Sequence, residues 1–408
     1  MKNIFRILFL TSVLLAGLIA CSVEESLNAG ADEKMPQISE GVVSGELLVC
    51  FDPYVSSTLE KAGLTKSGIN APATRSGVLS VDEILDLVDG YEIERVFPVD
   101  PRTEDKAREA GLHLWYIVRF SKEHSVEQVA SDLARLGEVR RVEYNKTLKR
   151  ASDRKAVPLT SEMLRQMTAS TKSSAADPLY GFQWYLYNDG SLQKTLKDPD
   201  AVKFVAGADI KAEKAWEKCT GDPSIIVAVL DEGIDVTHPD LKASMWVNEG
   251  EVFGSTEDAD GNGYAGDRHG YNFVKSSGKI TVNSRYDTGH GSHVAGTIAA
   301  RNDNGLGIRS IAGGDGTEDS GVRIMSCQIF SGEYLGTVLE EVRAIKYAAD
   351  NGAVVLQCSW GYVSSAANPY EWTPQFKDDE EWELYNPLEK QALDYFTRTP
   401  RSPDGAID

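Results

Sequence analysis

The stretch Ile225-Ile-Val-Ala-Val-Leu-Asp231-Glu-Gly-Ile-Asp-Val-Thr-His-Pro-Asp-Leu241 decides the reading of this chain. It is read together with Asp287-Thr-Gly-His290-Gly-Ser-His-Val-Ala-Gly-Thr-Ile-Ala-Ala300. An unbroken apolar run is the mark of a strand buried on both faces, as in a parallel sheet flanked by helices. This strand ends on an acid and turns through Gly233. In open α/β sheets the carboxyl ends of strands are where functional groups collect. The second stretch sets a histidine between glycines at the start of a helix of small residues, a pattern that lets backbone pack closely around an imidazole.

Working outward, Val322–Ile329 and Ala353–Cys358 read as two further apolar strands. Between them, Val338, Leu339, Val342, Ile345 and Ala349 fall on one stripe of a helix near Leu335–Asp350. A further helix is expected at Ala212–Lys218. Strand–helix alternation argues an α/β fold: a parallel sheet covered by helices. Upstream, strands are expected at Glu46–Phe51, Tyr91–Val99, Leu112–Phe120 and Val139–Tyr144, with helices at Val81–Val88 and Ser125–Leu136. That β-α-β-β-α-β order is ferredoxin-like. The expected layout is residues 1–20 as signal peptide, 21–43 as tether, 44–150 as an α+β domain, 151–176 as linker and 177–408 as the α/β domain.

The Asp231 and His290 stretches resemble the aspartate and histidine motifs of the subtilisin family of serine proteases, in that family's chain order of acid, base, nucleophile. Gly233, Ile234, Asp235, His238, Pro239, Asp240 and Leu241 fit the pattern too, with His238 as a structural member. On the residues alone, His290 or His293 is the candidate base; the family's H-G-T-H-V-A-G pattern makes it His290, with serine at 292 in place of threonine. Zinc binding by the two histidines lacks the intervening acid and i,i+4 spacing of a metalloprotease helix. The resemblance implies that Asp231 orients His290, and that the 44–150 domain is a propeptide that templates folding and inhibits. It also implies that Ser359-Trp360-Gly361, like the family's Ser-Leu-Gly segment, pairs with substrate backbone; tryptophan there alters the adjoining pocket. An ordinary loop after a strand is the competing reading of that segment. The family's Gly-Thr-Ser helix start and its oxyanion asparagine segment do not occur up to Asp408, so the catalytic domain is expected to be incomplete here and its serine to lie downstream.

Asp258-Ala-Asp260-Gly-Asn262-Gly-Tyr-Ala-Gly-Asp267 reads like the first half of a calcium loop, with oxygens at alternate positions and glycine at the sixth. His269 occupies the twelfth position, where a bidentate acid is expected. The reading divides between a structural calcium, with Asp258, Asp260, Asn262 and Asp267 as ligands, and a metal-free turn. No other cofactor is required.

Lys2 and Arg6 followed by the apolar run Ile7–Ala20 read as a secretory signal. Leu18-Ile-Ala-Cys21 resembles a bacterial lipobox, which implies diacylation of Cys21 and an envelope or surface location; Glu24 and Glu25 resemble a surface-export signal. The other four of the five cysteines, Cys50, Cys219, Cys327 and Cys358, are expected to be free thiols. A net charge of −20 disfavours phosphate and hence nucleic acid as a partner. The expected function is a lipid-anchored subtilisin-like serine endopeptidase acting on protein or peptide substrates. The alternative is an inactive peptide-binding pseudoenzyme or a propeptide-type inhibitor or chaperone.

Overall fold

The computed structural model describes residues 41–64, 73–150, 155–156, 160, 162, 177–195, 203–282, 286–361 and 376–399. The signal peptide 1–20, Cys21 and nearly all of the tether lie outside the described residues, as does most of the 151–176 linker. The chain divides into two compact units, Met1–Thr147 with Ser364–Gln391, and Leu148–Val363 with Ala392–Asp408.

The first unit is built on a four-stranded antiparallel sheet of order β2-β3-β1-β4, with β1 at Val42–Phe51, β2 at Tyr91–Arg95, β3 at Trp115–Phe120 and β4 at Val139–Lys146. Helix α1 (Leu79–Leu85) follows β1 and α3 (Val126–Ala134) follows β3, which completes the expected ferredoxin-like order. Ser125 caps α3 by accepting from the Gln128 N–H at 3.2 Å. The apolar faces of α1 and α3 pack on Leu47, Val49, Tyr116, Val118 and Val142. A helix not expected from the sequence pattern, α2 (Glu104–Glu109), stands between β2 and β3. The run Leu112–Leu114 is a turn of 3-10 helix rather than strand.

Two boundaries differ from expectation. Leu148–Arg150 belong with the second unit, not with the 44–150 domain. Residues expected to lie in the α/β domain, around Glu371–Glu389, instead count with the first unit as far as Gln391. There Leu388 N–H donates to Glu143 at 2.8 Å and Trp115 Nε1 donates to Gln391 at 2.7 Å.

The second unit is built on a parallel sheet of order β6-β7-β5-β8, with β5 at Ile226–Glu232, β6 at Gly270–Asn272, β7 at Arg323–Phe330 and β8 at Ala353–Cys358. Helix α4 is Ala212–Trp216, α5 is His290–Ala299 and α6 is Val338–Asp350. Ala295 and Ala299 of α5 pack on Val227, Val229 and Ile324. α6 opens with a capping box between Thr337 and Glu340, and its five predicted stripe residues are all buried. After β5 the chain builds β7 on one side, then returns to build β8 on the other. That reversal makes the carboxyl end of β5 the switch point of the sheet, the place where open α/β sheets form their binding crevice. Cys50 and Cys327 are buried free thiols, and Cys219 and Cys358 exposed ones. Among the described residues no helix is long and apolar enough to cross a membrane.

Candidate active site

Asp231 and Glu232 close β5 at that switch point, and a register shift against β7 falls between them. Both carboxylates reach the first turn of α5, but for different atoms. Asp231 meets the His290 side chain, its two oxygens 2.9 and 2.8 Å from Nδ1. Its Oδ1 also accepts the Glu232 N–H at 2.7 Å. Burial pushes the Asp231 carboxyl above the usual aspartate range, while the His290 hydrogen bond and the Glu232 N–H pull it back. Such a carboxylate holds Nδ1 as the protonated nitrogen and leaves Nε2 free to accept a proton. The Asp231 side chain is 4% exposed and that of His290 24%, so the imidazole keeps access to the crevice.

Glu232 works on the backbone of the same turn. Its Oε2 accepts from the N–H groups of Thr288, Gly289 and His290 at 2.9, 3.0 and 3.3 Å, and from the Thr288 hydroxyl at 3.0 Å. The first N–H groups of a helix lack intrahelical partners, so a carboxylate at this end anchors the turn that carries His290. Glycine makes the approach feasible: a Cβ on Gly291 would stand 2.3 Å from the Glu232 carbonyl oxygen, and one on Gly233 would stand 2.2 Å from that of Thr281. Serine at 292 keeps the one group needed there, since its hydroxyl accepts the Asp235 N–H at 2.9 Å. His238 accepts the Asp240 N–H at 3.2 Å, a turn contact away from the Asp231–His290 pair.

Ser359-Trp360-Gly361 leaves β8 toward the same end of the sheet. Ser359 accepts a hydrogen bond from Gln357 at 3.1 Å, and Trp360 forms an isolated antiparallel bridge with Arg150 of the same unit. On the far side of that short segment, the Leu148 N–H donates to the Gly336 carbonyl at 2.9 Å. Further on, the Ala156 N–H donates to the Thr288 carbonyl at 2.7 Å. Residues 148–150 thus run between the loops that follow β7 and β8. No spacing in the sequence signals this, because pairing by backbone leaves no side-chain pattern to read.

The acidic loop differs from expectation in its membership. Glu251, Asp260 and Asp267 place carboxylate oxygens within 4.8 Å of one another. Asp258 and Asn262 stand outside that group. Asp258 is taken up by the N–H groups of Asn262 and Gly263, at 3.1 and 2.9 Å, as a turn cap. Asn262 turns its amide donor, not its oxygen, to Asp260 and Asp267. Asp267 is fully buried and pushed up to about 6 by burial, against hydrogen bonds from Tyr347, Asn262 and Asn248. The Oε2 of Glu251 is buried with no hydrogen-bond partner. Three carboxylates with an unmet oxygen fit a hard, oxygen-seeking cation.

Residues 222–398 match the model of the subtilase family, Peptidase S8. That segment is similar to the subtilases. Halolysin of Haloferax mediterranei is 30% identical over 167 residues, 41% of this chain and 27% of halolysin. Fervidolysin of Fervidobacterium pennivorans is 37% identical over 155 residues, 36% of this chain and 18% of fervidolysin. Subtilisin-like protease 1 of Plasmodium vivax is 34% identical over 137 residues, 33% of this chain and 20% of that protein. The matches therefore span between 18% and 27% of the length of these relatives. The crystal structure of fervidolysin, described as a keratinolytic enzyme related to subtilisin, superposes with a TM-score of 0.44 at 21% identity. It covers 90% of this chain and 40% of that one. Asp231 and His290 both fall inside the matched segment, as do the four described strands of the parallel sheet.

Proposed function

We propose that this protein is a serine endopeptidase in which Asp231 orients His290 and His290 is the general base. The observation that carries the reading is the Asp231–His290 hydrogen bond at the switch point of a subtilase sheet. With Nδ1–H held by Asp231, Nε2 takes the proton of a serine hydroxyl as it attacks the peptide carbonyl. The imidazolium, stabilised by Asp231, then returns that proton to the leaving amine, and water hydrolyses the acyl-enzyme by the same base. This reading assigns the acid and the base and leaves the serine unassigned. The substrates are proteins or peptides whose backbone pairs with Ser359–Gly361. The 44–150 domain is the propeptide, processing falls within 151–176, and the segment at Leu148–Arg150 holds the crevice until it is cut.

Two further parts of the reading rest on narrower grounds. Glu251, Asp260 and Asp267 are the ligands of a structural calcium, which would compensate the charge of three clustered acids. Cys21 is lipidated and tethers the protein to the cell envelope, since the apolar run before it is too short to anchor by itself; metabolic palmitate labelling that persists in Cys21→Ser would sink that part.

The test is to express the open reading frame from its native locus and treat the folded product with a fluorophosphonate probe and labelled casein. Covalent labelling and casein hydrolysis, both lost in His290→Ala, are expected. A folded protein that neither labels nor hydrolyses overturns the endopeptidase reading and leaves a peptide-binding role.

A further inference from the structure

We propose that Glu232, next to the catalytic acid in sequence, is the specificity-determining residue of a subsite for an arginine side chain of the peptide, and that Arg150 is the chain's own occupant of that subsite. The proposal rests on the endopeptidase reading and names the class of substrate it favours.

Three observations carry it. The guanidinium of Arg150 lies 2.8 Å from Glu232 Oε1, with the arginine side chain only 9% exposed and the glutamate 3%. Its second terminal nitrogen donates to the Gly332 carbonyl at 2.7 Å, and its plane stands over the Phe330 ring at 5.4 Å. The loop carrying that carbonyl is fixed in turn, because the Gly332 N–H donates to the buried Asp287 at 2.8 Å.

The two oxygens of Glu232 divide the work. Oε2 is taken by the backbone of the His290 turn, and Oε1, apart from a longer contact to the Thr288 N–H at 3.2 Å, is turned to Arg150. Among the described residues Arg150 is the one cation within ion-pair distance of Glu232. A buried carboxylate left without its cation is costly. When residues 148–150 leave the crevice, the side chain that replaces Arg150 must therefore meet the same charge. Lysine fits less well, since a point charge on a flexible stem cannot reach Glu232 and the Gly332 carbonyl with two nitrogens while stacking on Phe330. The backbone contacts at Gly336 and Trp360 accept any sequence, so selection falls on this pocket.

The experiment uses peptides with the sequence of residues 148–160, in which the position of Arg150 is arginine, lysine, citrulline or leucine. Citrulline keeps the shape of arginine and removes its charge. Binding is measured by fluorescence polarisation to the full chain carrying Arg150→Gln, which loosens the internal occupant. Cleavage of the same peptides by the protein expressed from its native frame is read by mass spectrometry. Arginine is expected to exceed citrulline by about 10- to 100-fold in affinity and in kcat/KM. Glu232→Gln, which keeps an acceptor for the His290 turn, is expected to bring that ratio close to one.

Equal binding of arginine and citrulline peptides, no binding of any, or an undiminished ratio in Glu232→Gln overturns the proposal. Cleavage with no preference at that position overturns it while the endopeptidase reading stands. Charge-ordered binding without cleavage of any peptide does the reverse. Should Glu232→Gln fail to fold, the peptide series on the Arg150→Gln chain decides alone.

Discussion

Glu143 in β4 and Glu232 at the end of β5 are both buried glutamates on strands, yet they are served differently. Glu143 lies within an antiparallel strand whose own N–H groups are spent on the ladder. It receives one backbone donor, Leu388, and burial pushes it up to about 8 despite nearby Lys146 and Arg141. Glu232 lies where a parallel strand runs out against the start of α5, among N–H groups that the helix leaves unpaired. It receives three of them, a hydroxyl and the Arg150 guanidinium. The difference teaches that position along a strand, not residue type, sets how many donors a buried acid meets. The end of a parallel strand supplies them and the middle of an antiparallel one does not.

The comparison breaks first at Asp231, which shares the end of β5 with Glu232. Asp231→Asn keeps the side-chain shape and removes the charge that orients His290. Hydrolysis by the native-frame protein is expected to fall by about 10²- to 10⁴-fold with thermal stability unchanged. Undiminished hydrolysis would make Asp231 another structural strand acid, no different in kind from Glu143.

Calcium sharpens it next. Acids of the second unit gather around Glu251, Asp260 and Asp267, so a cation should stabilise that unit and leave the first alone. Saturation at about a hundred times Kd is expected to add about 2.7 kcal/mol. Hydrogen exchange with and without chelator should show slower exchange confined to the second unit, and Glu251→Gln should weaken the effect. Identical exchange in both conditions would leave the loop as a metal-free turn.

The most local effect concerns Glu143 itself. Its folded value, about 8, lies above the ordinary 4.5, so its protonated form is the one the fold favours. The associated stability is whole below about pH 4.5 and is lost as pH rises through about 8, on the order of a few kcal/mol. Exchange of the β4 amides should quicken across that window, and Glu143→Gln should flatten the trend. A flat profile in the unaltered chain would show Glu143 better compensated than its contacts imply.

Much of the fold is legible in the residues alone. Apolar runs without alternation locate β5, β7 and β8 to within a residue or two; β5 and β7 are buried along nearly their whole length, while β8 keeps the apolar run although it is only partly buried. The 3.6-residue stripe locates α6, and the glycines at 233 and 291 mark a close approach that joins β5 to α5. Leu112–Leu114 misleads because a short apolar run serves strand and 3-10 turn equally well. Glu104–Glu109 escapes notice because its polar face dominates and one buried residue, Ala107, carries its packing. The acidic loop is half legible: alternation of oxygens points to the right segment, but Glu251 lies outside the alternation and reaches the cluster only through the fold. Asp258 and Asn262 fit the spacing and are lost to hydrogen bonds that spacing does not encode.

The sequence by itself determined the strand-ending acid at 231 and the order of elements around it, because these rest on local periodicity and on short-range steric rules; between His290 and His293 only the resemblance to the family's H-G-T-H-V-A-G pattern chose. Only the tertiary structure decided which buried carboxylates face donors and which do not, and that Arg150 finds Glu232 across the crevice. Those contacts join residues far apart in the chain through backbone pairing and buried charge. Neither leaves a periodic mark on the residues that make it.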